Sequence, residues 1–114
     1  MTEKSKKYLS DILMAIDLIE EFTSGFDFLV YDKDRKTQSA VERQLAIIGE
    51  ALNQFKKLES SIVIENDKQI VSFRNRLVHA YDSIDNSIVW VIINRHLKPL
   101  KLEVENLANN TTCC

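Results

Sequence analysis

Apolar side chains recur along this chain at steps of three and four, the repeat of a helix that buries one face. In the first segment Leu9, Ile12, Leu13, Ile16, Ile19 and Phe22 carry the pattern and predict a helix from about Lys6 to Thr23, with Gly25 placed to end it. The stretch F-D-F-L-V-Y-D-K-D that follows reads as a loop or short turn. Val41, Leu45, Ile48, Leu52 and Phe55 then alternate by four and three, a heptad-like seam on a second helix from about Lys36 to Lys57. Gly49 lies inside that helix, where glycine costs roughly 1 kcal/mol relative to alanine, so close packing of a neighbouring helix is the expected reason for it. S-S-I-V-I-E-N, residues 60–66, reads as an extended link.

A third helix is expected to begin at Asn66 or Asp67, either of which can cap it. A fourth is expected from Asp85 through Leu107. Its opening S-I-V-W-V-I-I is rich in β-branched residues and looks strand-like by itself. Val89, Ile92, Ile93, Leu97, Leu100, Val104 and Leu107 keep helical spacing well beyond it, so helix is preferred, with Pro99 kinking or restarting it. The fold class predicted is all-α: an antiparallel bundle of four to five helices. Residues 1–108 form one domain and residues 109–114 a flexible C-terminal tail.

Composition agrees and narrows the choices. With 114 residues, 45% of them hydrophobic, two glycines and one proline, the chain has few breakers and enough apolar mass for a single core. A net charge of −2 argues against coating nucleic acid through general positive charge, while leaving room for a local basic patch. The longest apolar run, Ile88 to Ile93, is far below the roughly 18 residues that span a membrane, and the N-terminus has no signal-peptide core. The expectation is a soluble cytoplasmic protein without membrane contact. Cys113 and Cys114 close the chain; a terminal Cys-Cys pair can be a lipid-attachment signal, but an untethered tail accounts for it as well. Neither suggests a disulfide or metal site.

Candidate chemistry gathers in F-R-N-R-L-V-H-A-Y-D, Phe73 to Asp82. With Arg74 at zero and 100° per residue, Ala80, Phe73, Ile84, Leu77 and Ile70 fall between about 240° and 320°, the face expected to meet the core. Tyr81, Arg74, Val78, Val71, Asp82, Asn75 and His79 occupy the arc from about 340° round to 140°. Val71 and Val78 in the middle of that polar arc suggest a second burial surface, such as a two-fold subunit contact. Arg76, near 200°, belongs to neither arc. Arg74 and His79 stand about 140° apart, so gripping one small target requires a bend near His79, a long reach by Arg74, or residues of two subunits.

Histidine and arginine together suit metal-free RNA cleavage. A ribose 2′-hydroxyl attacks the adjacent phosphate while one group takes its proton and another protonates the leaving 5′-oxygen. Histidine, with an unperturbed pKa near 6.5, can do either, and arginine can hold the phosphate oxygens as charge builds. Asn75, one turn before His79, could orient the imidazole or bind phosphate. The plainer alternative makes Arg74 and Asp82 a surface pair and His79 a helix-end group. Glu42 or Glu50 of the second helix could hold Arg74 or Arg76, or could belong to an exposed charge pattern. His96, beside Arg95 and Lys98, has no partners for a constellation and reads as surface.

R-N-R-L-V-H-A-Y resembles the R-X4-H-X-Y signature of the HEPN superfamily, in particular the HepT toxins of HepT/MntA toxin–antitoxin systems. Arg74, Asn75, His79 and Tyr81 match the motif positions. A-V-E-R-Q-L-A-I-I-G-E-A, Ala40 to Ala51, is similar to the family's second-helix segment, and Val89-Trp90 and the L-x-P-L around Pro99 fit as well. The resemblance implies an all-α bundle that dimerises, or assembles further, through the motif helix. It implies a cofactor- and metal-independent endoribonuclease of a type VII-like toxin–antitoxin system, with Arg74 and His79 catalytic and Asn75 supporting. Its partner would be a minimal nucleotidyltransferase antitoxin that silences it by adding AMP to Tyr81. The alternative is a non-catalytic accessory subunit of such a nucleotidyltransferase, using the same face for docking.

Overall fold

A computed structural model describes residues 1–79 and 84–112. The described chain is helical with short connections: α1 Glu3–Phe22, α2 Phe28–Lys33, α3 Arg35–Leu58, α4 Lys68–His79, α5 Asn86–Val91 and α6 Leu97–Thr112, with a five-residue π-helical segment, Ile92–His96, joining the last two. The expected all-α bundle is present.

Short polar side chains set most of the helix starts. Thr2 Oγ1 accepts from the Ser5 amide at 3.1 Å, and Asp34 Oδ1 accepts from the Thr37 amide at 3.0 Å, each satisfying an amide that has no partner within the helix. Asp27 caps α2 in the same way, accepting from the Val30 amide at 2.9 Å. The segment expected as a loop or short turn therefore holds a six-residue helix. It is too short for periodicity to register, yet it buries Tyr31 completely. Asp85 starts α5, accepting from both the amide and the hydroxyl of Ser87 at 2.9 and 2.7 Å. Gly25 takes φ +78°, which only glycine adopts cheaply, and turns the chain out of α1.

Leu9, Ile12, Ile16 and Ile19 of α1 meet Leu45, Ile48, Leu52 and Phe55 of α3 in a core where all eight are at most 1% exposed. α4 packs on α3, and α6 on α1. Ile70 and Phe73 enter the core from α4; Val89, Ile92, Leu97, Leu100 and Val104 enter it from the C-terminal helices. The molecule measures 47 × 30 × 19 Å. Its thinnest dimension is about two helix diameters, so each helix keeps one face away from the core.

Two contacts fix where α4 begins. Asp67, 2% exposed, is paired with Lys56 near the end of α3. Glu103 of α6 accepts from the amides of Glu65 and Asn66 at 2.8 and 3.1 Å, tying down the link before α4. At the C-terminus, the Leu97 amide bonds to the Ile92 carbonyl, a five-residue step that widens the helix just ahead of Pro99. Proline cannot donate and crowds the carbonyl four residues back, so the change of pitch falls where the regular ladder would fail. Pro99 sits in the first turn of α6 without a break. α6 continues to Thr112, past Leu107 and into the stretch expected as a tail. No glycine or proline intervenes to stop it once the apolar pattern ends. Among the described residues no helix is long and apolar enough to cross a membrane.

Candidate active site on the fourth helix

α4 lies on α3 with the phase its sequence predicts. Ile70 and Phe73 are 0% and 4% exposed, and Leu77 is partly buried. Arg74 lies at the edge of that contact, with 28% of its side chain exposed. Asn75 and Arg76 are exposed, as are Val78, at 58%, and His79. Val71 is half-buried.

Gly49 governs how closely the two helices meet. A Cβ placed on it would fall inside contact distance of the Arg74 Cβ and 2.8 Å from its Cγ. Only a residue without a side chain lets the base of Arg74 cross α3 at this point. The next residue, Glu50, then receives the guanidinium: Arg74 Nη2 donates to Glu50 Oε2. Gln54, one turn on, donates to Glu50 Oε1 at 2.8 Å, so both carboxylate oxygens are engaged. Arg74 Nη1 donates to Asn75 Oδ1 at 3.2 Å. The sequence left four pairings open between Glu42 or Glu50 and Arg74 or Arg76; of these, Glu50 with Arg74 is formed.

His79 is the last described residue of α4. The helix is continuous from Arg74 to His79, so the two lie about 7.5 Å apart along its axis and about 140° apart around it. Tyr81 and Asp82, expected as modification site and surface partner, lie outside the described residues, as do Cys113 and Cys114.

Beside the C-terminal half of α4, Ser39, Glu42, Arg43 and Ala46 of α3 and Leu77 and Val78 of α4 line an open cleft of about 290 Å³. Burial holds the Glu42 carboxyl above its ordinary pKa. The Tyr31 hydroxyl, buried and without a hydrogen-bond partner among the described residues, is also pushed up, first by burial and then by the Glu42 charge. This half-buried carboxylate beside the motif helix was hidden in the sequence, where Glu42 looks like any charge on a helix. Arg76 is exposed, and the Asp85 carboxyl is held below its ordinary range chiefly by its bonds to Ser87, with a minor contribution from the Arg76 charge. His96 is half-buried in the π-helical segment and lines a separate cleft with Glu65, Asn66, Lys68 and Gln69, at the opposite end of α4 from His79. Among the described residues no three His, Cys, Asp or Glu side chains converge on a point that could hold a metal ion.

The all-α bundle presents Arg74, Asn75 and His79 along one helix, with the arginine held by a second. The family model "Ribonuclease HepT-like" matches residues 12–107, and the chain belongs to that family. It is 40% identical to the probable ribonuclease HepT of Thermococcus cleftensis, over 94% of this chain and 98% of that protein. It is 34% identical to a putative RNase of Methanocaldococcus jannaschii, over 88% and 93% of the two chains. A putative RNase of Caldanaerobacter subterraneus subsp. tengcongensis is 28% identical over 90% and 92%. No solved structure matches the chain.

Proposed function

We propose that this protein is the toxin of a two-gene toxin–antitoxin pair: a metal-independent endoribonuclease whose site combines Arg74 and His79 from two copies of the chain. The observation that carries this reading is the Arg74 guanidinium, fixed between Glu50 and Asn75 on the same helix that exposes His79. A ribonuclease of this type needs a fixed cation for the phosphate and a solvent-accessible imidazole for the protons.

His79 takes the 2′-hydroxyl proton or returns one to the departing 5′-oxygen. Arg74 stabilises the charge on the phosphate between them, and Asn75 supports the arginine. The product is a 2′,3′-cyclic phosphate or its hydrolysis product. Two features support a composite site. Arg74 is drawn towards α3 by Glu50, while His79 faces another way on the same continuous helix, so one copy presents the pair poorly to one phosphate. Val78, in the middle of the motif face, is 58% exposed in the single chain and would be covered in a two-fold contact.

Tyr81 is the proposed off-switch, modified with AMP by a minimal nucleotidyltransferase partner. On an ideal helix running through the motif sequence Tyr81 would stand about 20° from Arg74, and a bulky anionic adduct there would block the phosphate by sterics and repulsion. Expressing the chain alone should arrest growth, with relief by His79→Ala and by co-expression of the nucleotidyltransferase. Intact mass after co-expression should rise in AMP units for the parent and not for Tyr81→Phe. Normal growth with the parent chain, together with stable binding to the nucleotidyltransferase, would instead favour the accessory-subunit alternative.

A further inference from the structure

Glu50 comes from a different helix than the motif and lies 24 residues before Arg74, yet its carboxylate receives the motif guanidinium. We propose that Glu50 is a positioning residue of the ribonuclease site: it aims Arg74 at the scissile phosphate and restrains it while charge builds there. The inference rests on the reading of Arg74 and His79 as the RNA-cleaving groups.

Three observations converge on this role. Gly49 lets the base of Arg74 lie against α3 beside Glu50, the next residue. The carboxylate is itself oriented, because Gln54 holds its other oxygen at 2.8 Å. The guanidinium is held at both terminal nitrogens, by Glu50 at Nη2 and by Asn75 at Nη1, which removes most of the rotamer freedom of a long side chain. These bonds use two of the five N–H donors of an arginine, so the group can be gripped and still donate to phosphate oxygens.

The pair is too wet to be there for stability. Arg74 and Glu50 side chains are 28% and 47% exposed, and ion pairs of this kind contribute little to folding. A carboxylate next to a phosphate site also has a cost, since it repels the RNA polyanion. If Glu50 only helped to bind RNA, the site would do better without its charge. A positioning role predicts that turnover and binding respond differently. Losing the charge should leave binding unchanged or tighter, while turnover falls because the arginine is no longer aligned in the transition state.

The test is steady-state cleavage of a short single-stranded RNA, with EDTA present, by the parent, Glu50→Gln, Glu50→Asp and His79→Ala, each with its melting temperature. The expected result for Glu50→Gln is kcat lower by about 10- to 100-fold, the range for a misaligned catalytic group, with KM equal or lower. Glu50→Asp keeps the charge and should recover much of the loss. Both variants should melt within about 4 °C of the parent. If Glu50→Gln keeps kcat within about twofold of the parent while His79→Ala is inactive, the positioning role is wrong and the ribonuclease reading stands. A loss that follows a large drop in melting temperature, unrelieved in Glu50→Asp, also overturns it, because Glu50 is then a fold residue. A parent protein that cleaves no RNA overturns the ribonuclease reading and this inference with it.

Discussion

Gly49→Ala tests whether the crossing of α3 and α4 builds the site. Glycine within a helix costs about 1 kcal/mol relative to alanine, so helix propensity alone predicts that the substitution stabilises the protein. The packing predicts the reverse. The new methyl would collide with the Arg74 Cβ, come within 2.8 Å of its Cγ, and meet the Ile70 carbonyl oxygen at 3.5 Å. The colliding atoms belong to the root of the arginine, which cannot swing away without moving the backbone of α4. That backbone is pinned by Ile70 and Phe73 in the core. Overpacking of this kind costs about 1–3 kcal/mol, which offsets the propensity gain and leaves a net loss of roughly 0–2 kcal/mol. The melting temperature should fall by up to about 8 °C. Cleavage should suffer more, because α4 shifts away from Glu50, and a displacement of about 1 Å at a catalytic group can cost about 100-fold. Circular dichroism melts and an RNA cleavage assay on the same preparation measure both. A variant that melts above the parent and cleaves at the parental rate would show that the close approach at Gly49 is not needed to set Arg74.

Further predictions follow from the core and the titrating groups. Phe73→Ala should destabilise by about 3–5 kcal/mol in denaturant melts, since the ring is 4% exposed and anchors the motif helix. Glu42→Gln should change how stability depends on pH. Burial raises the folded-state pKa of Glu42, so its contribution is fully present below the unfolded value near 4.3 and is lost as pH rises through the folded value. The variant should therefore gain on the parent between pH 4 and 7, and parallel curves over that range would contradict the burial argument. Asp34→Asn should show the opposite dependence. Bonds to the Thr37 amide and hydroxyl lower the Asp34 pKa, so the stability it adds is present above the unfolded value and lost as pH falls through the folded one. The gap between parent and variant melts should close below about pH 4.

Much of this architecture was legible because long helices repeat their apolar positions many times. The Val41–Phe55 seam gave α3 to within a residue or two, and the phase of α4 correctly turned Ile70 and Phe73 inward and left Asn75, Val78 and His79 outside. α2 was missed because six residues make fewer than two turns, although Asp27 and Asp34, which cap successive helices, stood in plain view. The π-helical step ahead of Pro99 escaped for a different reason. Proline signals that a regular ladder must fail, but whether the chain breaks, kinks or widens depends on what packs around it. The motif spacing singled out Arg74, Asn75 and His79 as candidates. Glycine at position 49 hinted at a close neighbour without naming it. That the neighbour is Arg74, and that Glu50 rather than Glu42 holds it, depends on the crossing point of two helices, which no local pattern encodes.

The central claim is that Arg74 and His79 cleave RNA together without a metal. The most direct measurement is single-turnover cleavage of an oligonucleotide carrying one ribonucleotide, in EDTA, by the purified parent, Arg74→Ala and His79→Ala proteins. The predicted result is cleavage by the parent that leaves a 2′,3′-cyclic phosphate or its hydrolysis product at the ribonucleotide, with each variant slower by about 100-fold or more. Cleavage by His79→Ala at the parental rate, or none by the parent, would contradict it.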